Sequence, residues 1–258
     1  MQFLFDKDKC INAKNILGKN SLISTIWRKD FAPSNKIGNC TNLYRILKPN
    51  DCCDFYQKYI TYGSEHHSLP ISKRGLTYDE LISLSEKYKE EVESRIDLSY
   101  DLSMYFYDAV CHIIVETWDG QQTERDFMEF LNRLGYSCSK FDGSIDSEYG
   151  VDIKVTRNDG RVSAIQIKPI SFFISNRSDV QSDRINLCRK YEQAFNRFGF
   201  KTYYAIYVRD KKTNDITWVK NGNGYRFRIN ELFEYDPNDI EGSFKRLKLP
   251  EVYEKLPL

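Results

Sequence analysis

The sequence has no apolar run approaching the roughly 20 residues that cross a bilayer, and no basic-then-apolar leader at its start. Neither a membrane-spanning nor a secreted protein is expected, so the location should be cytoplasmic. It has no G-x-x-x-x-G-K-S/T loop, the phosphate cradle of an ATP-driven enzyme. Cysteine occurs seven times but never as C-x-x-C, which points to reduced thiols rather than a disulfide framework. Cys52-Cys53 and His66-His67 are adjacent pairs, poorly spaced for tetrahedral zinc. An overall basic excess is missing too: the net charge is +1, which excludes a protein that coats nucleic acid along its whole length.

That balance hides an asymmetry. Residues 1–50 carry nine Lys/Arg against three Asp/Glu, residues 51–150 nine against twenty, and residues 151–258 twenty against fourteen. Separated basic ends suit a partner gripped locally, and DNA is one candidate. With 41% hydrophobic and 29% charged residues, the chain is globular rather than disordered.

The organising stretch is Gly150 to Lys168, two Val/Ile-rich runs around Arg157-Asn158-Asp159-Gly160, a hairpin signal. A three-residue loop with Gly160 left-handed pairs Arg157 with Arg161 and sets Asp152 opposite Gln166, with Lys168 one step along the same face. Opposed side chains sit about 5 Å apart and diagonal ones about 7–8 Å. Val151, Ile153, Val155, Ile165 and Ile167 form the apolar face by their period of two. The polar face is either the wet side of an amphipathic hairpin or a divalent-metal site for phosphodiester hydrolysis. Mg²⁺ takes one or two carboxylates plus waters and phosphate, and a nearby Lys stabilises developing charge or helps position the attacking water.

Asp152, followed after thirteen residues by Gln166-Ile167-Lys168, resembles the active-site hairpin of the PD-(D/E)XK nuclease superfamily, which includes many type II restriction endonucleases, resolvases and repair nucleases. Gln166 stands where the commonest form has an acid. An amide oxygen is a weaker metal ligand, so a further carboxylate is expected. The resemblance implies Asp152, Gln166, Lys168 and Glu124 as the catalytic set, with Asp152, Glu124 and Gln166 as ligands of Mg²⁺. Glu124 is chosen because it lies on the stripe of Phe127, Phe130, Leu131 and Leu134 in the helix before the hairpin; Asp142, Asp146 and Glu148 are the reserve. The implied fold class is α/β (α+β), an αβββαβ core with a mixed central sheet flanked by helices.

Along the chain, residues 1–50 suggest irregular structure with one or two short helices, in which Arg28, Lys29, Lys36 and Arg45 could reach a phosphate backbone. Residues 51–62 read as helix. Thr77 and Glu80 make a capping box for a helix to about Glu93. Residues 99–117 and about 121–134 read as two helices broken at Asp119-Gly120. Next come a strand at Tyr136 to Phe141, a loop at Asp142 to Tyr149, the hairpin, and a loop at Pro169 to Ser178. A helix to Phe198 carries Ile185, Leu187, Cys188, Tyr191 and Phe195. Strands follow at Lys201 to Val208, Ile216 to Lys220 and Tyr225 to Ile229, before a short helix and tail. The expected division is a mainly helical region 1–98 and a nuclease core 99–258.

The pieces Arg74 to Leu81 and Ile165 to Pro169 are similar to the MjaI-type restriction family, which cuts CTAG. That likeness implies a prokaryotic homodimer on palindromic double-stranded DNA and a partner methyltransferase. DNA-contacting candidates are Lys73 and Arg74 before the capped helix, Asn176 and Arg177 after the site, and Asn223, Arg226 and Arg228 near the last hairpin. A structure-specific or RNA-directed nuclease on the same core, and a DNA-binding protein that has lost cleavage, remain alternatives.

Overall fold

A computed structural model describes residues 4–141, 143–156, 160–175, 178–210, 216–218 and 233–234. The expected turn residues 157–159, the strand at 225–229 and the tail from 235 lie outside the described residues. Where a short helix is expected after residue 230, the described residues Phe233–Glu234 form a strand. The chain divides into two compact units, Met1–Thr123 and Glu124–Leu258, so the division falls inside a long helix rather than at residue 98. No helix among the described residues is long and apolar enough to cross a membrane.

The described part of the first unit is helical. Its elements are α1 (Lys7–Leu17), α2 (Ser21–Ile26), a π-helical turn at Trp27–Phe31, α3 (Ser34–Ile37), α4 (Cys40–Leu47), α5 (Cys52–Glu65), α6 (Ile71–Arg74), α7 (Tyr78–Glu93), α8 (Tyr100–Ser103) and the start of α9 (Phe106–Arg133). Residues 1–50 are thus far more helical than their composition suggests. The Asp and Asn that read as loop residues are caps. Asp6 accepts from the Asp8 and Lys9 amides, Asn20 from Leu22 and Ile23, and Asn39 from Asn42, each satisfying donors a helix start leaves open. A core of Cys10, Ile23, Ile26, Leu43, Phe55, Tyr59, Leu81, Val92, Val110 and Ile114 holds these helices together.

The expected break at Asp119-Gly120 is absent, and α9 runs through it. Thr123 Oγ1 donates to the Asp119 carbonyl at 2.7 Å, and Lys7 pairs with the Asp119 carboxylate at 2.8 Å. An interior glycine costs about 1 kcal/mol relative to alanine, less than the burial of Ile114 and Val115 before it and Phe127 and Leu131 after it returns.

The second unit continues from α9 through β1 (Ser137–Lys140), α10 (Gly143–Tyr149), β2 (Ile153–Thr156), β3 (Val162–Pro169), α11 (Ile170–Ile174), α12 (Ser178–Phe198), β4 (Lys201–Arg209), β5 (Ile216–Trp218) and β6 (Phe233–Glu234). The expected loops at 142–149 and 169–178 therefore contain helices. The sheet runs β1-β2-β3-β4-β5, antiparallel except for the parallel β3–β4 pair, with β6 also on β4. Ile153 pairs with Ile165 and Thr156 with Val162, the register expected from the sequence, and Gly160 has φ +78°.

Both sheet faces are covered. On one, Phe127 and Leu131 of α9 pack on Ile153, Val155, Ile165, Ile167, Tyr203 and Ala205. On the other, Cys188, Tyr191 and Ala194 of α12 pack with Ala164, Tyr204 and Ile206. This second face is not the solvated side of a hairpin. Val151 joins it instead of the Ile153 face, because residues 150–152 precede the strand and escape its period of two. Ile185 and Phe195 of α12 turn outward, and Arg184 takes an inward place.

The capping box is present: Thr77 Oγ1 accepts from the Glu80 amide, and Glu80 Oε2 from the Thr77 amide at 2.8 Å. Glu80 also takes both terminal nitrogens of the buried Arg74 at 2.7 Å. Arg74 holds the Glu80 carboxyl down at about 2. A depressed acid stabilises the fold above its unfolded value, near 4.5, and that stabilisation disappears as pH falls through about 2. Glu80→Gln keeps the cap but removes the charge. It should cost about 1–2 kcal/mol in urea unfolding at pH 7, reduced from a fully buried pair because Glu80 is half-exposed, and the gap from wild type should close as pH drops from 4.5 towards 2.

Candidate active site

The site grows from the start of β2. Gly150, at φ +64°, turns the chain out of α10; a Cβ there would lie 2.7 Å from Leu187 Cδ2. Two residues on, the Asp152 amide donates to the Ile165 carbonyl at 2.9 Å, one residue out of step with the Ile153–Ile165 pairing, and the Asp152 side chain meets that of Gln166. Asp152 Oδ2 accepts the Ile167 amide at 2.7 Å and a short hydrogen bond from Gln166 Nε2. Its Oδ1 has no hydrogen-bond partner among the described residues. Gln166, only 3% exposed, is held in turn by Tyr191, whose hydroxyl donates to its Oε1 at 3.5 Å.

The Asp152 carboxyl is pushed up to about 7. Burial is the main cause and the Glu124 carboxylate the next; Lys168 and the Ile167 N–H pull the other way, and Asp146 adds to the rise. Glu124 is largely buried and pairs with Lys140 of β1 at 2.9 Å. Lys168, near the end of β3, lies 5.6 Å from the centre of the Phe172 ring, with Arg184 5.8 Å from the same ring. Arg184 also donates to the Phe172 and Ser175 carbonyls at 2.7 and 2.6 Å. Lys168 makes no ion pair among the described residues.

The hairpin thus brings together Asp152, Gln166 and Lys168, with Glu124 in electrostatic reach. Gln166 differs from the expected ligand: it presents its NH₂, not its oxygen, to Asp152. Among the described residues no three His, Cys, Asp or Glu side chains gather closely enough to hold a metal. Of the reserve acids, Asp146 of α10 acts on Asp152, Glu148 is exposed and pairs with Arg197 at 3.4 Å, and Asp142 lies outside the described residues.

The basic candidates part company. Lys73 is exposed at the end of α6. Arg74 is 5% exposed and spends its guanidinium on Glu80 and on the Leu69 and Gly75 carbonyls. Its geometry is that of a strut, not of a side chain free to meet DNA. Asn176, Arg177, Asn223, Arg226 and Arg228 lie outside the described residues. Sequence reasoning missed Tyr191, Phe172 and Arg184. The signal for Tyr191 was a tyrosine in an otherwise apolar stripe, whose hydroxyl needs a partner when buried.

Comparison with protein-family models, with curated proteins and with solved structures finds no match to this chain.

The Glu124 carboxylate adds to the cost that burial sets on ionising Asp152. A raised acid contributes most to stability below its unfolded value and progressively less as pH rises through about 7. Asp152→Asn removes that titration and keeps an oxygen for the Ile167 amide. In EDTA it should melt like wild type near pH 4 and above it at pH 8, the difference appearing between those values. Equal melting at pH 8 would show that Asp152 is not held in an unfavourable ionised state.

Proposed function

We propose that the chain is a Mg²⁺-dependent endonuclease of the PD-(D/E)XK type that cuts duplex DNA at a short palindromic site, CTAG being the first to try. The observation that carries this reading is the hairpin trio, Asp152 and Gln166 in contact and Lys168 following, with the Glu124 carboxylate acting on Asp152. The order α9, β1, β2, β3, α12, β4, with α10 inserted after β1 and α11 after β3, and with an antiparallel trio and then a parallel strand, supports it as an elaborated form of the αβββαβ arrangement expected of that core.

The residues fit Mg²⁺ through Asp152 and Glu124, since the ion needs few carboxylates when water and phosphate complete its shell. Bound there, it would polarise the scissile phosphate and lower the pKa of a bound water. The chain's own groups have separate tasks. Asp152 offers Oδ1 while the Ile167 amide and Gln166 fix Oδ2. Gln166 is a positioning residue, steadied by Tyr191. Lys168 places positive charge where the phosphate becomes more negative in the transition state. A palindromic site implies a homodimer and a methyltransferase protecting host DNA.

The amide at Gln166 favours one rival, a DNA-binding relative that does not cut. Incubation with varied duplexes and Mg²⁺, followed by end mapping, separates them: discrete ends support the enzyme, and retained binding without cuts supports the rival. Asp152→Ala and Lys168→Ala should each abolish cleavage with the fold intact by circular dichroism. Glu124→Gln should lower the rate at least about tenfold, with partial recovery in excess Mg²⁺ or Mn²⁺. Normal cutting by a folded Glu124→Gln protein at limiting Mg²⁺ would remove Glu124 from the site.

A further inference from the structure

Pro33, Lys36 and Gly38 recur at one constant separation as Pro70, Lys73 and Gly75. The backbone repeats with them. Each turn is four helical residues, α3 and α6, entered at a proline with φ −57°, ψ 145° or φ −58°, ψ 144°, and left at a glycine with φ +84° or +79°. The Lys36 and Lys73 amides each donate to the proline carbonyl at 2.8 Å, and the Gly38 and Gly75 amides each to the first helical carbonyl at 2.9 Å. A longer helical segment precedes each turn, and a side-chain-capped helix, α4 or α7, follows.

The two copies are packed against each other at their glycines: a Cβ on Gly38 would lie 2.8 Å from the Gly75 Cα. Around that contact the helices exchange partners. The helix before the first turn, α2, packs on α7, which follows the second; α5, before the second, packs on α4, which follows the first. At the level of the helices this reciprocity is that of an approximate two-fold axis, as in an isologous interface; copies stacked by translation would set α2 on α5 and α4 on α7. The closest contacts are not exchanged: the Asn39 amide donates to the Ser72 carbonyl, and a Cβ on Gly75 would meet the Tyr59 ring first. Tyr59 ties the copies together, its hydroxyl donating to the Ile37 carbonyl and its ring lying against Gly75. Lys36 and Lys73 are both exposed, and neither turn contains an acid.

We propose that this twin turn grips the two backbones of duplex DNA, with Lys36 and Lys73 each meeting a phosphate on opposite strands. A duplex has the matching symmetry, since two-fold axes relate its antiparallel strands; a single strand or a peptide has none. The grip carries no base information and is distinct from the Asp152 site. The choice of DNA over RNA rests on the nuclease reading above.

The test is fluorescence anisotropy of the full chain with short duplexes of two unrelated sequences, in EDTA, over a salt series. Lys36→Ala and Lys73→Ala should each weaken binding about five- to tenfold near 0.1 M salt and lower the slope of log K against log salt by about 0.9. The double variant should lose about twice that slope, equally on both sequences. Lys→Arg at both positions should retain it, as should Lys19→Ala, an exposed lysine outside the turns. The proposal is overturned by wild-type protein that does not bind duplex, by a folded double variant with unchanged slope, or by an equal loss on single strands. Cleavage is scored separately with Mg²⁺. A chain that never cuts but shows the slope loss keeps the grip and ends the nuclease reading; one that cuts with an unchanged slope does the reverse.

Discussion

The second unit is arranged around one uncomfortable carboxylate. Asp152 sits where burial and Glu124 both disfavour its charge, yet the surrounding atoms are committed to keeping it there. Its place one step before β2 brings its Oδ2 to the Ile167 amide of β3, Gly150 supplies the turn that delivers it, and Tyr191 steadies the Gln166 amide on its other side. Helices α9 and α12 cover the sheet so completely that Gln166 is buried as well. A carboxyl held in this way is more easily kept neutral than charged.

The hairpin was the most legible part of the sequence because its information is local. The Asn-Asp-Gly signal in the sequence and the alternating Val and Ile specify a register, and a one-residue slip would turn every side chain to the wrong face. The capping box at Thr77 and Glu80 was readable for the same reason. What failed was long-range or ambiguous. Val151 obeys the alternation on paper but precedes the strand. Gln166 looked like half of a solvated face because the helix that covers it, α12, comes later in the chain. Arg74 looked like a surface cation because its partner, Glu80, was already assigned to the cap, and one carboxylate serves both.

In the first unit the difficulty was composition. Asn, Asp, Ser and Lys between short apolar clusters describe a loop and also a series of short capped helices, and only the position of each Asx relative to the next apolar residue distinguishes them. The same ambiguity concealed the repeat. Where the first copy has the buried apolar Ile37 and Leu43, the second has the ion pair of Arg74 and Glu80 at the equivalent places. Chemically opposite residues thus accompany nearly the same backbone, so the likeness survives in Pro, Lys and Gly while the sequences around them diverge.

Helices on both faces of the sheet also limit how the second unit can be approached. A large ligand cannot settle on either face, and Asp152 and Lys168 stand at the ends of their strands, so a visitor must come to the sheet end-on. The segments it meets are those that leave and enter strands, which can lengthen, shorten or change composition without disturbing the packed layers. Such a plan lets those end segments vary while the packed layers hold Asp152, Gln166 and Lys168 in place.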